Sequence, residues 1–547
     1  MMRLMLYRLL LLCSVLHMIS CGTYESVHHV PKTEGYNNAV PVVLKHCDSV
    51  FSYGANTLLK NRLRQWELYV EGDPLERGLI AGALSEQLIL KQERVFIDKV
   101  NEIVPSKFKQ SLLRQFLKWY NRKLYLHVSE EYKTEIYGIS RYSSKDYDYV
   151  APPYLRSLYL HAAHDIGHAL SDLSLVKCTS FAAWGDKTTD GSLLLARNLD
   201  FYAGDEFAED KIIAFVKPDT GYPFMSVVWG GMIGTLSGMN LQGLTVTINS
   251  GKSDTPLVAK TPISILAREI LQYAKNIDEA VAVAKKRQVF VSESIMVGSA
   301  ADGKAVIIEI SPNKFRVHEV ANSNQLICSN HFQSESYKND KNNTDAINNS
   351  HSQYRYERVT ELLAEEDKVD PEKAASVLRN KEGLNDVALG YGNEKAINQL
   401  LAHHGIIFKP EQKLVWVSSN PYQLGEFAAY NLDEVFQKGK SETPKSFMKA
   451  ELAIARDPFA DSQTFKNYEE YRKMERVIEK AIEEDEDLTV NAITHYQQLN
   501  PDFWKVYYNI GKYYYNRGYY TASKAEFEKA LTKEITTCRR RRRSGSI

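Results

Sequence analysis

The spacing of apolar residues changes close to residue 176, and that change limits the fold more than any other feature of the chain. Upstream, "LSEQLILKQERVFIDKVNEIV" and "KFKQSLLRQFLKWYNRKL" repeat apolar residues every three and four positions. That spacing predicts helices from about residue 61 to 175, behind a polar, irregular stretch at 22–60. Downstream, "VKCTSFAAWGDKTTDGSLLLARNLDF" (176–201) holds two apolar runs split by a turn rich in Gly, Asp and Thr, which predicts a β-hairpin. Short β runs continue through "KIIAFVK", "FMSVVWG" and "GLTVTINS". A helical pair follows at about 262–286, then the strands "SIMVGSA", "KAVIIEI" and "KFRVHEV". Strands, helices and strands again specify a layered α+β domain. The polar run at 335–352 reads as a surface loop, with helices resuming near Tyr354.

A chain of 547 residues exceeds what one core usually organises, so several domains are expected. Lys plus Arg and Asp plus Glu both number 68, and this balance gives no sign of nucleic-acid binding. The exception is Arg539 to Arg543, a basic tail that reads as a solvated end, with anionic lipid or phosphate as its functional alternative. At the other end Arg3 and Arg8 precede an apolar run and small residues, the pattern of a secretory signal. Its close, "MISC", is similar to a bacterial lipobox and makes Cys21 the expected lipidated residue. The six cysteines are too scattered for a disulfide framework. Past a second boundary at "QKGKSETPKS", the segment "WKVYYNIGKYYYNRGYYTASKAEFEKAL" has the spacing of a tetratricopeptide repeat, with Gly511, Tyr514, Gly518, Ser523, Phe527 and Ala530 at the patterned positions.

Cys178 is the residue that asks for a chemical explanation. It falls at the start of the predicted hairpin, behind a separable helical segment. If the bond between Lys177 and Cys178 is cut, thiol and α-amine share one residue. The amine (pKa about 7.7–8) can then take the thiol proton (pKa about 8.5), so no histidine base is required. Arg197 and Asp200, on the second strand, supply a cation to favour thiolate and a carboxylate to hold the new amine. Asn240, Asn249 and Asn330 offer amide donors for a developing oxyanion.

The hairpin with "RNLDF" resembles the N-terminal-nucleophile (Ntn) hydrolases of the choloylglycine hydrolase, penicillin V acylase and acid ceramidase group. "GDPLERGLIAGAL" and "SNHF" look more like its acyl-CoA:6-aminopenicillanate acyltransferase branch, in which an internal cysteine follows a helical pro-segment. The resemblance runs from about Gly72 to Leu363. It implies a four-layer αββα core and makes Cys178 both the self-cleavage residue and the nucleophile. Arg197 and Asp200 match the family's Arg and Asp, and Asn330 matches its oxyanion asparagine. Asn240 matches a substrate- or oxyanion-binding position through its "MNxxGL" context, and Arg355 in "QYRYERV" matches a later arginine. The long pro-segment, lipid anchor and repeat-like tail set the chain apart from the bile-salt enzymes.

One rival constellation is "LHAAHDIGHAL", where His161, His164 and His168 share a helix face suited to zinc. The Glu of a zinc-protease motif is absent, and a packed helix face explains the histidines without metal. The expected organisation is therefore a signal peptide at 1–20, a lipid-anchored tether at 21–60, a helical pro-segment at 61–177, an Ntn-hydrolase domain at 178–435, a helical repeat-like module at 446–535 and a basic tail at 536–547. The expected activity is cleavage of a small N-acyl amide through a Cys178 thioester, in the envelope of a bacterium, without a cofactor. Transfer of the acyl group to an amine, and a non-catalytic lipoprotein whose repeat module docks a protein partner, are the alternatives. The pro-segment is expected to stay with the catalytic chain.

Overall fold

Alternation along the strands builds the molecule in layers. The computed structural model describes residues 23–162, 165, 176–202, 204–253, 258–437 and 444–536. The signal segment, Cys21, His164, His168, Cys538 and Arg539 to Arg543 lie outside them.

Among the described residues, eleven strands form one sheet: β1 (Leu44–Cys47), β2 (Val50–Tyr53), β3 (Asn56–Lys60), β4 (Trp66–Gly72), β7 (Ile212–Pro218), β8 (Phe224–Val228), β9 (Ser237–Asn240), β10 (Leu244–Ser250), β11 (Glu293–Ser299), β12 (Lys304–Ile310) and β13 (Phe315–His318). The second sheet runs in the order β14 (Gln325–Cys328), β5 (Val176–Ala183), β6 (Leu194–Phe201), β15 (His404–Lys409), β16 (Leu414–Ser418), β17 (Phe427–Asn431) and β18 (Lys449–Ile454).

Successive side chains on a strand point to opposite faces, and the two faces here enter different cores. Ile213, Phe215, Met296 and Ile307 from the first sheet meet Leu195, Ile406, Phe408 and Val415 from the second. Their neighbours Ile212, Ala214, Ile295 and Ile308 turn outward to the helices Pro74–Ile103 and Ile263–Tyr273. Leu194, Ala196, Ile407 and Trp416 turn outward to the helices Ser352–Glu365 and Pro371–Arg379. The fold is thus α+β, with two sheets packed face to face between helical layers.

The structure corrects the sequence reading at three places. Residues 44–72 form a four-strand meander instead of an irregular tether leading into helices. β4 then pairs in parallel with β7, from Trp66 opposite Ile212 to Gly72 opposite Pro218. These runs are four to seven residues long, too short for period to separate strand from loop. The polar run at 335–352 holds a helix, Lys341–Asn349, whose first turn is capped by Asp340 accepting from the amides of Asn342 and Asn343 at 3.1 and 3.2 Å. Finally, β18 extends the second sheet past residue 435, so the sheet domain runs to Ile454. Among the described residues, four α-helices follow: Gln463–Glu483, Val490–Leu499, Trp504–Asn516 and Tyr520–Leu531.

The segment upstream of Cys178 is therefore knitted into the domain it precedes. Besides the β4–β7 pairing, Glu135 of the Glu130–Ser140 helix lies buried between Arg77 (2.7 Å) and Arg268 (3.1 Å). Burial works to raise the Glu135 carboxyl, but Arg268 and Arg77 outweigh it and hold it below its ordinary value. Removing one member of such a buried group leaves an uncompensated charge.

Candidate active site

The hairpin predicted around Cys178 is formed by β5 and β6, paired in antiparallel register from Val176 opposite Phe201 to Ala183 opposite Leu194. Gly185 and Gly191 in the connection have φ of +59° and +76°, a region that side chains with a Cβ rarely adopt. The register puts Lys177 opposite Asp200 and Ser180 opposite Arg197. By strand alternation Cys178 and Arg197 face the space between the sheets, whereas Lys177 and Asp200 face the outer layer.

On its other side β5 pairs with β14, and Cys328 lies opposite Ser180. Continuing that register two residues brings Asn330 opposite Cys178, just past the end of β14. There a side chain takes over from the backbone ladder: the Cys178 N–H donates to Asn330 Oδ1 at 3.0 Å. Arg355, in the first turn of the Ser352–Glu365 helix, closes the arrangement. Its Nη2 donates to the same Asn330 oxygen at 2.7 Å, and its Nη1 donates to the Cys178 carbonyl at 2.8 Å and to Thr179 Oγ1 at 2.6 Å. Asn330 Nδ2 donates to the carbonyl and hydroxyl of Ser250 at 3.1 and 3.0 Å. In the uncleaved chain Asn330 therefore grips the nitrogen of the expected scissile bond, and its own donors are spent on Ser250.

Arg197 reaches the thiol from the other side. Its Nη2 donates to Cys178 Sγ at 3.3 Å and to the Ile248 carbonyl at 2.6 Å, while Nη1 donates to Ser237 Oγ and the Leu236 carbonyl. Cys178, Arg197 and Asp200 have no solvent exposure. Burial raises the Cys178 thiol above its ordinary pKa, and Arg197 partly opposes this. Burial also pushes the Asp200 carboxyl up to about 7, against the pull of Arg355, Lys177 and Arg197. Asp200 Oδ2 accepts from Gln399 at 3.1 Å, and Oδ1 has no hydrogen-bond partner.

Two of the expected binding residues have other work. Asn240 Nδ2 donates to the carbonyls of Leu271 and Ala274 at 2.8 and 2.7 Å, and its Oδ1 accepts from the amides of Gln242 and Leu244, both at 3.0 Å. All four bonds tie a β-turn to a helix end, which corrects the substrate-binding expectation to a structural one. Asn249 bridges the sheets: it accepts from Ser180 Oγ at 2.7 Å and donates to the Cys328 carbonyl at 2.9 Å. It stands beside the site but its side chain is engaged between β10, β5 and β14. His161 is likewise occupied, with Nδ1 on the Ser157 carbonyl and Nε2 accepting from the Ile233 amide. Among the described residues no group of three potential ligands could hold a metal.

Sequence reasoning missed a chain of groups behind Arg197. Arginine only donates, so Ser237 Oγ accepts from it, and the same oxygen shares a hydrogen bond with His404 Nε2, 2.9 Å away. His404 Nδ1 shares a second hydrogen bond with His403 Nδ1 at 2.8 Å, one ring donating and the other accepting. Burial holds both histidines well below their ordinary pKa, consistent with neutral rings. The signal was present as adjacent histidines opening the apolar run "HHGIIF". Also missed was Glu394, 2.8 Å from the Lys177 ammonium and paired with His351 Nε2. Its carboxyl is held well below the ordinary range: burial would raise it, but Lys177 and His351 prevail.

Residues 187–420 match the family model described as acyl-coenzyme A:6-aminopenicillanic acid acyl-transferase. Arg197, Asp200, Asn240, Asn249, Asn330 and Arg355 fall inside that span, and Cys178 lies nine residues before it. An uncharacterized protein of Archaeoglobus fulgidus is 28% identical over 273 residues, which cover 46% of this chain and 44% of that protein. The chain thus spans less than half the length of this curated relative. Among solved structures, an N-acylethanolamine-hydrolyzing acid amidase ortholog of Caenorhabditis elegans overlaps 49% of this chain and 100% of its own, at 17% identity and a TM-score of 0.33. A mutant conjugated bile acid hydrolase of Clostridium perfringens overlaps 49% and 97%, at 14% and 0.33. Penicillin V acylase of Agrobacterium tumefaciens overlaps 46% and 85%, at 15% and 0.30. The family match over residues 187–420 bears out the resemblance to the acyl-CoA:6-aminopenicillanate acyltransferase branch drawn from the sequence.

Proposed function

We propose that this protein is a cysteine amidase that cuts itself between Lys177 and Cys178 and then cleaves the amide bond of a small N-acyl substrate. One observation carries the reading. Arg197 addresses the sulfur of Cys178, Asn330 addresses its nitrogen and Arg355 addresses its carbonyl, so three polar side chains converge on one buried residue.

In the first step Sγ attacks the Lys177 carbonyl carbon. The C–S bond forms as the C–N bond breaks, and the nitrogen takes up the proton the thiol gives off. Water then opens the thioester, leaving a Lys177 carboxylate and a Cys178 with both thiol and α-amine free. Asp200, whose neighbour across the hairpin is Lys177, is suited to pair with that new ammonium. In the second reaction a substrate amide acylates the thiol, the amine leaves with a proton, and water releases the acid. To serve the oxyanion, Asn330 Nδ2 has to exchange its bonds to Ser250 for one to the developing charge. The segment before Cys178 shares a sheet and a buried ion group with the rest, which supports its staying attached after cleavage. A lipid on Cys21 would hold the domain at a bacterial envelope membrane, and the C-terminal helices are open to a protein partner.

Intact-mass analysis of purified wild-type protein and of Cys178→Ala tests the proposal. Two co-purifying chains meeting at 177/178 are expected from wild type and one chain from the variant. A single uncleaved wild-type chain with full amidase activity refutes self-cleavage. Supplying a primary amine as acceptor separates hydrolysis from transfer, and free acid is the expected main product.

A further inference from the structure

The segment from Leu389 to Ala402 has no helix or strand, yet most of it is buried: Leu389, Asn393, Ile397, Gln399, Leu400 and Ala402 are at most 1% exposed. Irregular backbone normally runs over the surface, where water satisfies it, so a buried strap of this kind needs partners along its length. It has them on two sides, and the two sides are different parts of the molecule.

One side grips the residues flanking the expected cleavage point. Glu394 holds the Lys177 ammonium at 2.8 Å and also engages His351. Gln399 donates to Asp200 at 3.1 Å, and the Ile397 carbonyl accepts from Asn198 of β6 at 3.2 Å. The other side is held by the C-terminal helices. Tyr391 exchanges two backbone bonds with the Asn500 side chain, at 3.0 and 2.8 Å. Asn393 donates to the Glu534 carbonyl at 3.1 Å, and Lys395 pairs with the Glu534 carboxylate at 2.6 Å. Leu400 lies in one apolar cluster with Tyr468, Phe503 and Trp504. Gly390 has φ of +75°, and a Cβ there would come within 2.4 Å of the Phe503 backbone, so the strap is seated directly on the helices.

We infer that Glu394 is a positioning residue for self-cleavage, and that the C-terminal helices set it in place through this strap. The inference rests on the proposed cut between Lys177 and Cys178. Attack on a carbonyl succeeds only from a narrow range of geometries, and small displacements cost large factors in rate. The Lys177 carbonyl is the acyl donor, and Glu394 and Asn330 fix the residues on its two sides. The helices thereby act within their own chain, as a buttress for maturation.

The test follows conversion of pulse-labelled full-length chain made in cell-free translation. Lys177→Met, Glu394→Gln and the double variant should each slow cleavage by a similar factor of tenfold or more, because the second change removes nothing further. The exchange Lys177→Glu with Glu394→Lys should recover most of the rate. Asn500→Ala, which touches neither the thiol nor Lys177, should slow cleavage at least threefold. Melting curves of the same variants in a Cys178→Ala background separate loss of fold from loss of position. Wild-type rates in Glu394→Gln or Asn500→Ala overturn the inference. So does a charge exchange that melts like the parent and cleaves no faster than Glu394→Gln alone. If wild type itself stays as uncleaved as Cys178→Ala, the self-cleavage reading fails, which is a separate result.

Discussion

Asp200 should affect the uncleaved and the cleaved protein with opposite sign. In the uncleaved chain its carboxyl is fully buried and titrates at about 7 instead of the ordinary 3.8. Between those values the folded chain keeps a proton that the unfolded chain releases. Stability therefore falls as pH rises from about 4 to about 7, and the whole penalty is present above 7. At 1.36 kcal/mol for each tenfold change in proton affinity, the gap amounts to about 4 kcal/mol. Asp200→Asn keeps the shape and removes the titration. In a Cys178→Ala background, which blocks cleavage, the Asp200→Asn chain should be more stable by up to about 4 kcal/mol at pH 8 and equal to its parent at pH 4. Urea unfolding at both pH values, followed by tryptophan fluorescence, gives the difference. If the chain is cut as proposed, the new ammonium at Cys178 adjoins the position across the hairpin from this carboxylate and pulls its pKa back down. There Asp200→Asn should reduce turnover instead of helping. A stability offset that is the same at pH 4 and pH 8 would refute the buried, proton-holding carboxyl, and with it the idea that cleavage relieves an unpaired site.

Three further outcomes follow from the same geometry. Asn330→Ala should leave uncleaved chain to accumulate and, in whatever matures, lower kcat by on the order of 10²–10³ if Nδ2 serves the oxyanion; stopped assays on a chromogenic amide measure this, and a kcat near wild type removes the role. Asn249→Ala unpairs Ser180 and the Cys328 carbonyl between the sheets, so it should cost about 1–3 kcal/mol in urea unfolding while leaving KM unchanged; a raised KM at full stability would return Asn249 to substrate binding. Cys21→Ser should move the protein from the membrane to the soluble fraction, since the several chains of a bacterial lipoprotein hold firmly where one would not; a wholly soluble wild-type protein ends the lipoprotein reading.

Much of the site was legible because its members lie in short local patterns. Cys178, Arg197 and Asp200 occupy one hairpin, and antiparallel pairing of two apolar runs places them within reach whatever surrounds them. Asn330 was legible from "SNHF", although its partner was not: only the register of β14 on β5 shows that it opposes the Cys178 nitrogen. Glu394 and Gln399 were invisible because nothing in their local sequence differs from a surface turn, whereas His404 was announced only by the adjacent histidines opening "HHGIIF". The strands at 44–72 were missed for a related reason. Four-residue runs with exposed faces, such as β1 and β2, have no period of their own and become strands only by pairing in a meander that β4 anchors on the edge of β7.

From the sequence alone, then, come the layered α+β class, the hairpin, the candidate nucleophile and the polar side chains that lie within a few residues of it. Those properties depend on local spacing, which the chain carries in one dimension. Tertiary structure alone decided that the segment before Cys178 is part of the sheet, that Asn240 is a turn cap, and that the C-terminal helices hold the strap against Lys177. Each of these depends on which distant backbone or carboxylate satisfies a buried donor. Burial makes every such pairing obligatory, but the choice of partner is made only when the layers close on one another.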